Sequence, residues 1–166
     1  MRHLCKWLAI GICGILALLT VLLVFPGLLG FHPLLVQSGS MEPEYPVGSM
    51  IYIKNADPSE LMEGKVVTFY LSDKETLITH RIVRIDMERE EIHTKGDANE
   101  LEDGAATSFS MIAGMPVACI PYLGYLAGYL ASVAGKAGII LLVLLVCLLS
   151  WMDSALFRQE KEAEGA

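Results

Sequence analysis

Leu8 to Leu29 is an almost uninterrupted apolar run of 22 residues. At roughly 1.5 Å of rise per helical residue, it is long enough to cross a hydrocarbon core of about 30 Å. With 54% hydrophobic residues in 166, the chain is too apolar for an ordinary soluble domain and too short for two large ones, so part of it must sit in lipid. Arg2, His3 and Lys6 lie before the run. The positive-inside tendency therefore predicts a cytoplasmic N-terminus over residues 1–7 and a transmembrane helix over 8–30.

A cleaved signal peptide also has a basic start and an apolar core, but its core is only roughly 7–15 residues long. The segment from Phe25 to Pro33 is bulky and offers no small-x-small cleavage site ahead of Ser38. A retained helix is therefore expected, with Pro26 near its outer end, where one missing backbone hydrogen bond is tolerable or the helix stops. A second apolar run, Ala137 to Met152, is shorter. It predicts a second transmembrane helix over 137–152 if its ends and Trp151 reach the interface, with a cytoplasmic tail over 153–166. A membrane-surface or buried helix is the alternative for this run.

Residues 37–135 carry 15 acidic and 7 basic side chains. Such a field repels phosphates, so nucleic acid is not expected as a partner. Cys5, Cys13, Cys119 and Cys147 form no CxxC pair and no metal spacing. Only Cys119 is placed to face an aqueous domain, so no disulfide is expected within it.

From residue 37 to about 118, short β-rich runs alternate with turn signals, which predicts a small all-β unit. Candidate strands are 49–54, 65–71, 77–86 and 91–95. They are separated by Asn55-Ala56-Asp57-Pro58, Ser72-Asp73-Lys74 and Met87-Glu88-Arg89-Glu90. In 77–86, Ile78, His80 and Ile82 share one side while Val83 and Ile85 share the other. That pattern predicts a strand buried on both faces or edging a cleft. Residues 119–136 read as a connector. Tyr122, Tyr125 and Tyr129 suit an interfacial helix, a plain amphipathic connector being the alternative, and Lys136 marks where that helix would break or meet head groups.

Three polar elements in the β region have complementary chemistry. Ser40 lies in the Gly-flanked turn Ser38-Gly39-Ser40-Met41-Glu42-Pro43, His80 lies within Ile78-Thr79-His80-Arg81-Ile82, and Lys95 to Asp103 is a carboxylate-rich turn. Each has a bland reading: the turn is structural, and a lone strand histidine is commonly a packed, satisfied core residue. Together they meet the needs of acyl transfer. A serine hydroxyl is a poor nucleophile unless a base takes its proton. Histidine, with an unperturbed pKa of about 6.5, can act near neutrality. A carboxylate on the other ring nitrogen fixes the tautomer and stabilises the imidazolium.

These motifs, in this order, resemble those of type I signal peptidases: Ser38 to Pro43, Thr79-His80-Arg81-Ile82, and Lys95-Gly96-Asp97-Ala98-Asn99 with Asp103. Histidine where the common bacterial enzymes carry lysine makes the chain similar to the ER-type branch, with its Ser/His/Asp set. Ile120-Pro121-Tyr122-Leu123-Gly124 extends the resemblance to roughly residues 34–125. It implies a mainly β fold: a small signal-peptidase-like β domain over 31–118, anchored by an N-terminal and a C-terminal transmembrane helix. It also implies Ser40 as nucleophile, His80 as general base, and Ser38 with the Ser40 backbone N–H as an oxyanion hole. Of the acids, Asp103 is favoured as the group orienting His80 with Asp97 supporting the turn, and the reverse assignment stays open. No cofactor and no metal are implied.

The chain departs from the family at Gly48-Ser49, where many relatives have Gly-Asp, and at Ala98 and Glu100. Lys65, Lys74 and Lys95 do not occupy the lysine-base position. His32 and His93 are the other extracytoplasmic histidines, with solvent or packing roles expected. Glu88, Glu90 and Glu91 read as a solvated hairpin tip, and Met41 as part of a pocket wall.

The expectation is thus a multi-pass membrane serine endopeptidase that cleaves signal peptides from exported preproteins after small residues. Its partners would be the bilayer and preprotein signal peptides, with accessory subunits left open. It would reside in the cell membrane, or the ER membrane in a eukaryote, with the β domain extracytoplasmic or lumenal. The rival readings are a non-catalytic membrane-tethered β scaffold and a narrow-client processing peptidase of the same fold.

Overall fold

The computed structural model describes residues 2–72 and 74–164. Asp73 of the expected second turn lies outside the described residues. So do the side chains of Arg2, His3, Cys5, Asp153 and the tail from residue 155 onward. The chain divides into two units, Met1–Phe25 with Gly128–Ala166, and Pro26–Ala127.

The first unit is helical. Helix α1 runs Arg2–Leu28 and contains Pro26, so the helix continues two residues past the point where its ladder loses a donor. Helix α2 is Leu123–Ala131 and α3 is Val133–Glu164. The break falls at Ser132, not Lys136, because Ser132 Oγ donates to the Tyr129 carbonyl (2.6 Å) and accepts from Gly135 N–H (3.1 Å), capping the new helix. Helix α3 begins before the expected residue 137 and carries on through the tail. Lys6–Leu28 and Val133–Met152 are each long and apolar enough to cross a membrane, with mean hydropathy 2.9 and 2.5. They leave Leu18, Val21, Leu141 and Leu144 exposed, an arrangement that lipid covers and water does not. The one hydroxyl near the middle of α1, Thr20, donates to the Leu16 carbonyl at 2.8 Å.

The second unit is one antiparallel seven-stranded sheet, the mainly β fold expected. Its strands are β1 His32–Leu35, β2 Met50–Lys54, β3 Val66–Tyr70, β4 Leu77–Asp86, β5 Glu91–Lys95, β6 Thr107–Ser108 and β7 Ile112–Ile120. The order is β1-β2-β7-β3-β4-β5-β6. Strands β2 to β5 match the expected runs to within a residue. The internal strand β7, between β2 and β3, was not expected, and it continues through the boundary set at residue 118. Its Gly114 and Pro116 look like turn residues, yet each has a reason to be in a sheet. Pro116 sits opposite Ile53 where the β2–β7 register shifts, a bulge that needs no donor. Gly114 has φ +156°, and a Cβ there would lie 2.3 Å from the Lys54 carbonyl oxygen.

Leu61, Val67, Phe69, Ile82 and Ile92 form the buried core, packed against Ile78, Ile85, Phe109, Ile112 and Met115. The period-2 alternation of β4 turns His80 and Ile82 to the same, buried side, so the core and the polar site share a strand. Ile82 is 1% exposed. Ile82→Ala is expected to cost about 2–5 kcal/mol of unfolding free energy, from lost burial plus the cavity left. Denaturant titration checks this, and a loss below about 1 kcal/mol would mean that β4 is not packed as described.

Candidate active site

Ser40 lies in the loop between β1 and β2. The loop's base is closed by two backbone bonds, Val36 N–H to the Ser49 carbonyl and Gly48 N–H to the Val36 carbonyl, both 2.9 Å. Within it, Glu42 N–H donates to Gly39 (3.0 Å) and Tyr45 N–H to Met41 (3.0 Å), making a compact turn. Met41 is buried beneath that turn at 2% exposure, a wall as expected.

His80 enters from β4 opposite Val67 and meets Phe69 edge-on, with ring centroids 6.5 Å apart. It is 7% exposed. Its Nε2 lies 3.1 Å from Ser40 Oγ, and its Nδ1 lies 2.6 Å from Asp103 Oδ2. Asp103 follows the turn after β5. Its backbone N–H donates to the Thr94 carbonyl at 2.8 Å, and its Oδ2 also accepts from Thr94 Oγ1 at 2.6 Å. Thr94, fully buried opposite Ile82, therefore holds the carboxylate against the ring. Nothing local in the sequence distinguished Thr94. Its place on the buried face of β5, two residues from Ile92, was the available signal.

Asp97 is directed elsewhere. Its two oxygens take Arg81 Nε at 2.8 Å and Nη2 at 2.6 Å, and that bond and charge lower its pKa below the ordinary carboxylate value. A depressed pKa contributes stability that is present above the unfolded carboxylate's pKa and is lost as pH falls through the folded one. The midpoint gap between the unmodified chain and Asp97→Asn is therefore expected at pH 7 and should close under strong acid. A gap that persists or grows on acidification would contradict this ion pair.

The carboxylate turn also grips Ser40 directly, since Ala98 N–H donates to the Ser40 carbonyl at 2.9 Å. Gly96 permits that approach: a Cβ there would stand 2.6 Å from the Ser40 carbonyl oxygen and 3.0 Å from His80 Nε2. Ser38 Oγ is 3.4 Å from Ser40 Oγ. His32 lies in β1 and His93 in β5 opposite Arg84. Among the described residues no group of three or more His, Cys, Asp or Glu could hold a metal. Cys119 is a free thiol in β7.

A groove of about 560 Å³ opens beside Ser40 and His80. One wall is Leu34, Leu35 and Val36 with Tyr45, and the other is Leu77, Ile78 and Thr79. Strands β1 and β4 are separated in the sheet by three others, so the sheet curls to bring both to one groove. Among the described residues strand β1 pairs only with β2, and β4 begins pairing with β5 at Arg81, leaving the edge of 77–80 open toward the groove. Tyr45 is held neutral, its pKa pushed up to about 12 by burial and then by Glu44 beside it.

A serine bonded to a histidine that is bonded to an aspartate, beside a groove with open strand edges, is the arrangement that histidine-activated acyl-transfer enzymes use. Comparison with known proteins finds similar chains over part of its length. The chain is 43% identical over 86 residues to signal peptidase I W of Bacillus subtilis, covering 50% of this chain and 45% of that protein. It is 34% identical over 92 residues to the signal peptidase complex catalytic subunit sec11 of Dictyostelium discoideum, covering 51% of each. It is 32% identical over 71 residues to the human subunit SEC11C, covering 41% of this chain and 37% of that one. No protein-family model matches the chain. The chain spans about half the length of the curated relatives it matches. Over that half, these relatives support the type I signal peptidase family, in keeping with the β fold, and together with the two apolar helices they support membrane association.

Proposed function

We propose that this chain is a membrane-bound serine endopeptidase that removes signal peptides from exported preproteins, cutting after small residues. The observation that carries this reading is the continuous chain of contacts from Ser40 Oγ through His80 to Asp103 at 3.1 and 2.6 Å. In this reading His80 Nε2 takes the Ser40 proton as Oγ attacks the scissile carbonyl. Asp103 holds Nδ1–H and stabilises the imidazolium. Ser38 Oγ–H and the Ser40 backbone N–H donate to the oxyanion, where one donor contributes about 3–4 kcal/mol to barrier lowering. His80 then gives its proton to the departing amine, and an acyl-Ser40 intermediate remains. Water, deprotonated by His80, attacks that ester and restores Ser40. Asp97 supports the turn whose Ala98 N–H holds Ser40.

Substrate would add as an extended strand to the open edges lining the groove, with alternate side chains entering its apolar wall. Tethering the enzyme and a substrate's own apolar helix to one membrane would raise the local concentration of the cleavage site. In the proposed topology residues 1–7 and the tail are cytoplasmic, the apolar parts of α1 from residue 8 and of α3 up to Met152 span, and the β unit is outside or lumenal.

The function is tested by incubating the full chain in detergent with a preprotein and sequencing the new N-terminus. One cut after a small residue is expected, and no cut by the unmodified chain would favour a scaffold. Protease added outside sealed vesicles of outward orientation should digest the β unit and spare the tail. Digestion of the tail would overturn the second span.

A further inference from the structure

Arg81 follows His80 in β4, so its side chain points to the opposite face of the strand, where it joins three segments. Nε and Nη2 form the fork on Asp97, Nη1 donates to the Gly64 carbonyl at 2.7 Å, and Nη2 also pairs with Glu44. Glu44 lies four residues after Ser40 in the same compact loop. Asp97 immediately precedes Ala98, whose N–H holds the Ser40 carbonyl. One guanidinium thus ties the loop carrying Ser40, and the turn gripping it, to the strand carrying His80. The fork on Asp97 and the bond to Glu44 keep that guanidinium charged.

We propose that Glu44, acting through Arg81, is a positioning residue that sets Ser40 Oγ against His80 Nε2. The proposal rests on the peptidase reading and adds to it a residue that does not touch substrate. Side-chain exposures of 48% for Glu44 and 30% for Arg81 make the pair a weak source of stability, screened by salt. Alignment is another matter, because a nucleophile displaced by about 1 Å can lose up to about a hundredfold in rate. Glu44 is the narrower probe, its side chain meeting Arg81 and the neighbouring Tyr45 of its own loop. Arg81 also holds Asp97 and Gly64, so its loss disturbs more than the Ser40 loop.

The experiment uses the full chain in detergent with a fluorogenic peptide bearing a preprotein cleavage site, alongside amide hydrogen exchange. Glu44→Gln, nearly isosteric, is expected to lower kcat about three- to tenfold with KM unchanged within about twofold, since the group lost orients the nucleophile and does not bind substrate. Exchange of the Ala98 amide should rise by a comparable factor, while the thermal midpoint and exchange of the core Ile92 amide stay as they were. Glu44→Asp, which restores the charge, should recover part of both losses. Equal kcat and equal Ala98 exchange in Glu44→Gln would overturn the proposal. A loss of kcat accompanied by a lower thermal midpoint and faster exchange throughout the sheet would also overturn it, as that is a merely structural role. If Ser40→Ala cleaves as well as the unmodified chain, the peptidase reading fails on its own, and Ala98 exchange still decides whether Glu44 holds the loop.

Discussion

Ser40→Ala is expected to reduce kcat/KM on a preprotein by about 10⁵- to 10⁶-fold, and His80→Ala by a similar amount. The reason is the single hydrogen-bonded path between them. With Ser40 Oγ 3.1 Å from His80 Nε2, neither group has a nucleophilic role without the other: a serine lacking its base holds its proton, and a base lacking its serine has nothing to activate. The double variant should therefore be no worse than either single one. Additive losses in a cleavage assay would show that the two side chains act separately. Residual cleavage within tenfold of the unmodified chain would sink the nucleophile assignment altogether. Thermal midpoints should change little for Ser40→Ala, because its side chain is only partly buried at the groove edge and bonds chiefly within the site.

Asp103→Asn should lower kcat by about 10³- to 10⁴-fold, whereas Asp97→Asn should cost less than about tenfold. An amide at 103 can present N–H to His80 Nδ1, which selects the tautomer whose Nε2 carries the proton. That tautomer cannot accept from Ser40. Thr94 donates to the same oxygen that meets Nδ1, so Thr94→Val is expected to be intermediate, loosening the carboxylate without removing it. Asp97 contributes through Arg81 and the turn, at one remove from the proton path. Steady-state kinetics of the three variants give the ranking. Equal losses at 97 and 103 would contradict the division of roles.

The ranking rests on a choice between two residues that sequence reading left open. Both aspartates lie in one turn, six residues apart, and both suit an orienting acid. Their separation in role depends on partners far away in sequence: Arg81, sixteen residues before Asp97, and Thr94, whose buried position is set by pairing with Ile82. The strands show the same pattern. Those from β2 to β5 are short β-rich runs with clear turn residues between them, and they were legible to within a residue. Strand β7 was not, because Gly114 and Pro116 carry turn character that is overridden by a close backbone approach and a bulge. The helix break was misplaced for a related reason. Lys136 is a conspicuous charge, but Ser132 supplies the cap, and capping acts through one hydroxyl and not through polarity in general.

Composition and order along the chain were enough to establish a tether of lipid-compatible length, a small β unit beside it, and a serine, a histidine and a carboxylate turn in a sequence that acyl transfer can use. These properties are local or additive: hydropathy sums along a window, and alternation is read residue by residue. Folding settled which strand is inserted between β2 and β3, which aspartate faces the histidine, and how the guanidinium beside His80 joins the Ser40 loop to its partner turn. Each of those depends on contacts between segments remote in sequence, at separations where a few tenths of an ångström separate a hydrogen bond from none.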